Sequence, residues 1–373
     1  MQLNLKVQNK SIWMLIITAC LVYCTVAIVN HYFFRTYALD LGLYTHALYE
    51  YSHGRMATTQ LFLESNNLLL SDHFDLYLIF LSPLVYIFND YTLLVVQIIA
   101  LLFGAFGIYK LLDSSEDTKS YSWLGTFIFL FSFGVFGAVS FEYHSNVLSV
   151  CFIPWWLLAV HSRKTLLAFI WLIVLFIGKE NFSFFIFFLC LALLWRNRSD
   201  KFLRKIFIVS AGISLIYFLT IIKWVMPSLA GGGEFVHFGK YPVLGGSMGD
   251  ALTFMINYPI EFLKIFFINH LNGYPELNSE KLFFYIVLFF AGGWAMLLRP
   301  YYLIAIAPLL LQKMFTNQFT TWGTSYQYNI EFVPLLVLAV ADGLKFLKLK
   351  FVWLIKWERA IVIKLILLTV SSS

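Results

Sequence analysis

Long apolar runs that are continuous rather than alternating dominate this chain. Residues 11–29, 91–112, 121–140, 206–226 and 282–298 each have roughly the length a helix needs to cross a hydrocarbon layer about 30 Å thick. A membrane β-barrel would show a strict two-residue alternation instead, because its strands face lipid and lumen in turn. Charged residues make up 12% of the chain and hydrophobic ones 60%, against about 25% charged in a soluble domain. The fold class is therefore an all-α polytopic membrane protein. Its 373 residues suit roughly ten or eleven spans, with little left for a soluble domain.

The formal charge of +6 fits loop lysines and arginines that set orientation and predicts no nucleic-acid partner. The four cysteines, Cys20, Cys24, Cys151 and Cys190, lie inside apolar runs and show neither a disulfide framework nor zinc-ligand spacing. Residues 11–29 are too long, and too poorly flanked by small residues, for a cleaved signal peptide, so they are expected to remain as the first helix.

Two short basic stretches, "HSRK" (161–164) and "RNRSDKFLRK" (196–205), give the strongest orientation marks. Both should face the cytoplasm, as should Lys6, Lys10 and the later "KFLKLK" (345–350). Between the two strongest marks lie residues 165–195, about 46 Å of helix, short of the roughly 60 Å that two full crossings require. A single tilted span would place one basic loop outside. A short hairpin keeps both inside and leaves its tip, residues 178–181, below the outer surface. Lys179 and Glu180 then sit at membrane depth, where ionisable groups are costly unless they face protein or a wet cavity.

Extending this pattern puts a first outer loop at 31–90 and a second at 227–281, within a transmembrane domain of residues 1–350. Residues 351–373 form a C-terminal helix, spanning or interfacial. The run 76–88 is short and carries Pro83, so a re-entrant or interfacial placement is expected. The N-terminus is cytoplasmic and the active face outward, across a cytoplasmic (inner) membrane.

Polar residues then collect on the outer side, each group at the end of an apolar run. They are Asp40, Asp72-His73, Glu142-Tyr143-His144, Lys179-Glu180-Asn181, Asn269-His270 and Tyr326-Gln327-Tyr328. Seven of the eight histidines map there, His161 being the exception, which points to a shared cavity with acid–base or metal chemistry. Plainer readings stand beside each group. Asp40, Ser71 or Asp72 would serve as helix caps, and His46 would be interfacial. Glu142 and His144 would flank an exposed turn. Lys179 and Glu180 would form a mutual ion pair, residues 231–233 a flexible glycine loop, and Trp322, Tyr326 and Tyr328 an aromatic belt.

The stretches "LDLGLYTHALYEYSHG" (39–54), "DHFDLYLIFLSPLVYIF" (72–88), "FEYHS" (141–145) and "GKENF" (178–182), in that order, resemble the DUF2079 group of predicted membrane proteins. That group is placed with the GT-C superfamily of polytopic glycosyltransferases. The resemblance covers the first half of the chain by motif and the second half by hydropathy. It implies a GT-C-like bundle of about ten or eleven helices, with juxtamembrane helices in the first outer loop and two acidic motifs on one face. Asp40 and Glu142 occupy those two positions.

The expected activity is transfer of a sugar from a polyprenyl-phosphate donor to a glycan, lipid or protein acceptor. Asp40 is the candidate base. Glu142 and His144 would orient the donor, with or without a divalent cation such as Mg or Mn; Asp40, Glu142 and His144 are the candidate ligands. Lys179 would offset charge on the departing phosphate, held in place by Glu180. Tyr143 and Tyr328 would stack on sugar faces, and Asp72, His73, Asn181, His270, Tyr326 and Gln327 complete the expected binding surface. The rival expectations are a transporter or flippase and a non-catalytic partner in envelope polysaccharide or lipid export. No inverted repeat or paired broken helices are visible to favour transport.

Overall fold

A computed structural model describes residues 2–59, 68–232, 236–350 and 364. Among the described residues the regular structure is helical, apart from a lone bridge between Thr58 and Leu68. Helix α1 (Lys10–Tyr32) leads into the segment expected to form the first outer loop, where α2 (Ala38–Ser52) carries Asp40 in its first turn. A broken series of short helical turns follows Tyr77. Asn89 has a left-handed φ of 49°, which bends the chain before α3 (Thr92–Asp113) begins. That bend separates the run 76–88 from the span after it.

Next come α4 (Lys119–Ser140), α5 (Ser145–His161), α6 (Thr165–Phe176) and α7 (Glu180–Arg196). Helix α8 (Lys201–Leu229) starts at Asp200, whose carboxylate accepts the Phe202 N–H at 2.9 Å and the Leu203 N–H at 3.1 Å, satisfying donors that an uncapped helix leaves bare. The segment expected to form the second outer loop carries α9 (Met248–Asn257) and α10 (Pro259–Ile265). The bundle closes with α11 (Pro275–Leu298), α12 (Tyr301–Met314) and α13 (Phe332–Lys350). The expected helix 351–373 lies outside the described residues, Lys364 apart.

Among the described residues, five helical stretches are long and apolar enough to cross a membrane: α1, Tyr77–Asp113 with its bend at Asn89, α4, α8 and α11. Helices α5, α6 and α12 are apolar but shorter, with 17, 12 and 14 residues. These lengths fit the expected all-α polytopic membrane fold, with further apolar helices beside the five long ones. Helix α6 rises only about 18 Å, short of a hydrocarbon layer about 30 Å thick.

The bundle has an apolar interior and an apolar exterior. Phe129, Trp156, Phe182, Phe185 and Phe207 are buried, while Ile17, Leu21, Ile208 and Ile216 on α1 and α8, and Leu166 and Ile173 on α6, are exposed. An outward apolar surface of this extent belongs in lipid. In the second outer loop, Leu252, Ile256, Ile260 and Leu263 on α9 and α10 are exposed as well.

Charged loops meet at one end. Arg163 and Asp200 pair at 3.1 Å, joining the two basic stretches on the same side of the bundle. Helices α6 and α7 therefore form the hairpin rather than one tilted span. At the same end Lys345 pairs with Asp117 at 2.5 Å. Asp342, at the heart of this end, receives both Nε and Nη2 of Arg196, at 2.6 and 2.7 Å, and the hydroxyls of Tyr301 and Tyr302, at 3.0 and 2.7 Å. So many donors offset the cost of burying a carboxylate.

Candidate functional site

The opposite end of the hairpin begins with a glycine. A Cβ on Gly178 would overlap the Ser149 hydroxyl and come within 3.0 Å of the Tyr77 ring, so only glycine lets the tip seat between α5 and the first outer loop. Lys179 follows in extended backbone and Glu180 opens α7. Neighbours in sequence, they diverge in space. Glu180 is buried; its Oε1 lies 3.3 Å from His73 Nδ1, and its Oε2 accepts the Phe74 N–H at 3.1 Å. The expected role of Glu180 as a clamp on Lys179 is replaced by one on His73. Lys179 is half-buried, and among the described residues no ion pair ties its ammonium, whose charge is felt at Asp40, Asp75, Tyr328 and Glu331.

The "FEYHS" turn between α4 and α5 is held by Gln97, which projects from the second turn of α3. Its amide donates to the Glu142 carbonyl at 2.7 Å and the Ala138 carbonyl at 3.2 Å, and its oxygen accepts the His144 N–H at 3.0 Å. This clamp stabilises Glu142 in left-handed backbone, φ 66°, a conformation that costs a non-glycine residue energy unless its surroundings impose it. Glu142 Oε1 accepts the Tyr37 N–H at 2.8 Å, whereas Oε2 is buried without a partner. Burial, reinforced by the nearby charge of Asp40, pushes the Glu142 carboxyl up to about 7.

Asp40 sits in the first turn of α2 with its side chain one-third exposed, and its Oδ2 lies 3.5 Å from His144 Nε2. The hydrogen bond from His144 holds Asp40 below the usual carboxylate range, helped by the positive charge of Lys179. Burial pushes the His144 imidazole down to about 4, so near neutral pH the pair is a neutral imidazole donating to an ionised carboxylate. Two acids a few residues from one turn thus have opposite shifts, the arrangement by which one site holds a base and a protonated acid together.

Asp75 lies beneath them, buried, accepting the Tyr77 N–H at 3.0 Å and the Tyr143 hydroxyl at 3.3 Å. Burial raises its carboxyl to about 6. Tyr143 is fully buried and cannot stack on a sugar; it anchors Asp75 instead. Tyr328 keeps 37% of its surface exposed, as a stacking residue needs. Tyr326, in left-handed backbone, sets its ring against Phe141 at 4.8 Å and Tyr37 at 6.3 Å. Gln327 is buried beside it. The Asn146 amide donates to the buried carboxylate of Glu331, and Asn181 donates to Gln312 at 3.2 Å.

The "SDHF" turn brings a third group. Asp72, His73 and His237 place one ligand atom each within 4.8 Å of one another. The set Asp40, Glu142 and His144, expected to hold a cation, does not converge in this way among the described residues. Its Asp40–His144 edge is formed, but Glu142 turns its oxygen to Tyr37. His270 is not brought to Asp40 either. Its Nδ1 lies 3.2 Å from Lys281 Nζ and its ring stands 5.0 Å from Trp322. The Lys281 ammonium is satisfied by the carbonyls of Ile265, Ile268 and Met314, so that cluster braces the second outer loop. His46 is exposed on α2.

A cavity of about 240 Å³ at the other end is lined by Arg196, Asn197, Arg299, Tyr301, Asp342 and Lys345. Its charges are tied to one another and to Asp117, and none of the expected site residues lines it. The candidate site is therefore the cluster around Asp40, His144 and Lys179 at the opposite end of the bundle, not that cavity.

Set against known proteins, the chain matches a family described as a predicted membrane protein group, DUF2079, over residues 30–373. The chain belongs to that family. No curated protein matches it.

Proposed function

Taking membership of the DUF2079 family as premise, we propose that this chain is a GT-C-type membrane glycosyltransferase. It would move a sugar from a polyprenyl-phosphate donor to an acceptor at the outer face of the cytoplasmic membrane. The observation that carries the reading is a partly exposed Asp40, held below the usual carboxylate range, within the field of an ammonium, Lys179, that has no ion-pair partner among the described residues. Both lie at the ends of apolar helices, where the headgroup of a membrane-held donor would sit.

In an inverting displacement, Asp40 takes the proton of the acceptor hydroxyl as that oxygen bonds to the anomeric carbon. The bond from that carbon to the phosphate oxygen breaks, and the electron pair leaves with the lipid phosphate. Lys179 offsets the charge that develops there, in surroundings drier than water. Neutral His144 keeps Asp40 ionised and aimed. Glu142 acts as a positioning residue: by accepting the Tyr37 N–H it fixes the start of α2, on which Asp40 rides. Tyr328 offers an exposed ring for a sugar face. Orientation follows from the basic loops gathered at the far end, which face the cytoplasm by the positive-inside rule.

Mass spectrometry of lipid co-purified with the protein tests the donor class. Near-stoichiometric polyprenyl phosphate, free or sugar-linked, is expected. Bulk phospholipid alone would contradict it.

A further inference from the structure

We infer that Asp72, His73 and His237 form a binding site for one zinc-class divalent cation. This site goes beyond the transfer reading and stands without it. One ligand atom from each of the three side chains lies within 4.8 Å of the others. Both histidines turn Nε2 to the Asp72 carboxylate, His237 at 3.3 Å from Oδ1 and His73 at 3.8 Å from Oδ2. The two rings stack at 4.4 Å with an interplanar angle of 13°. For both lone pairs to meet one ion, one ring must rotate and the ligands must close to the roughly 3.3 Å separation of a tetrahedral zinc site. His237 Nε2 also lies 2.6 Å from the Asp72 carbonyl oxygen. Metal binding would replace the proton shared there.

The second observation lies behind the ligands. A metal-bound imidazole ordinarily gives its other ring N–H to a carboxylate, which fixes the tautomer and strengthens the ligand. His73 Nδ1 faces Glu180 Oε1 at 3.3 Å, and Glu180 is itself fixed by the Phe74 N–H at 3.1 Å. That arrangement leaves His73 Nε2 as the free lone pair, aimed at Asp72. Asp72 and Glu180 together carry two negative charges to balance a divalent ion. Two imidazoles and one carboxylate favour zinc over magnesium or calcium, which prefer oxygen ligands throughout. The three side chains are only 12–20% exposed, so a bound ion would be shielded yet reachable. It would also join the second outer loop, through His237, to the first.

The test uses the full chain in detergent, with metal content measured after purification without chelator. The protein is then stripped with EDTA and titrated with Zn2+. One zinc per chain is expected, with retention lost in His73→Ala and in His237→Ala. Glu180→Gln, which removes no ligand, should bind about 10- to 100-fold more weakly. Trace metal only, with no zinc-dependent rise in the melting temperature of the stripped wild type, would overturn the site. Unchanged stoichiometry in His237→Ala, or binding of Mg2+ in preference to Zn2+, would overturn it as well. None of these readings depends on glycosyl transfer, so the two accounts fail separately.

Discussion

Glu142 Oε1 accepts the backbone N–H of Tyr37 at 2.8 Å, so the turn before α5 directly holds the residue that precedes α2. Residues 105 positions apart are thereby locked, and Asp40 inherits its place from that lock. The same carboxyl is buried beside Asp40, and this has consequences for stability.

Glu142 has a carboxyl raised to about 7 in the folded protein, from an unfolded value of 4.5. The sign follows directly. Below pH 4.5 both states are protonated and the group is neutral to stability. Between 4.5 and 7 the unfolded chain releases its proton first, and stability falls as pH rises, by about 3 kcal/mol at most. Glu142→Gln keeps an oxygen for the Tyr37 N–H and removes the ionisation. The melting temperature in detergent should fall less between pH 5 and 8 in this variant than in wild type. Identical slopes would contradict the assignment.

Asp342 binds Arg196 through both oxygens and accepts two tyrosine hydroxyls. Asp342→Ala strands a guanidinium that is 23% exposed and should cost about 2–3 kcal/mol, below the figure for a fully buried pair. The paired replacement Arg196→Met with Asp342→Leu should recover much of that loss, because it leaves no charge unpaired. Thermal unfolding in detergent gives both values. A double variant as unstable as the single one would show that the pair stabilises by attraction rather than by mutual satisfaction.

Lys179 has its charge felt at Asp40 and Asp75 without an ion pair among the described residues. If it receives the donor phosphate, Lys179→Met should weaken donor-lipid binding by about 1.5–3 kcal/mol, roughly 10- to 100-fold. Lys179→Arg should retain most of it. Binding of a fluorescent polyprenyl phosphate checks this, and equal affinity in wild type and Lys179→Met would remove the lysine from the site.

Much of this arrangement was legible in the sequence because the bilayer makes charge conspicuous. The all-α polytopic class, the α6–α7 hairpin and the proximity of Asp40 to His144 follow from apolar runs and where charges interrupt them. What stayed hidden were partners set by packing. Gln97 sits inside an apolar run and looks like a tolerated polar residue, yet it holds the Glu142–His144 turn from both sides. Asp75 stood in the shadow of Asp72 and His73 in one short motif. His237 lies in a glycine-rich loop, with no periodicity to aim it. Glu180 belonged with His73, 107 residues away, rather than with the lysine beside it. His270 illustrates the converse: its loop suggested a place beside the other polar groups, whereas the buried Lys281 holds it in a separate cluster.

The central claim is that Asp40 is the base of a sugar transfer. The direct measurement is turnover of Asp40→Asn in proteoliposomes, against a panel of polyprenyl-phosphate-linked sugars. Wild type should transfer one of them, and the variant should bind the same donor yet transfer it about 10²- to 10⁴-fold more slowly. Turnover at the wild-type rate in Asp40→Asn would contradict the account.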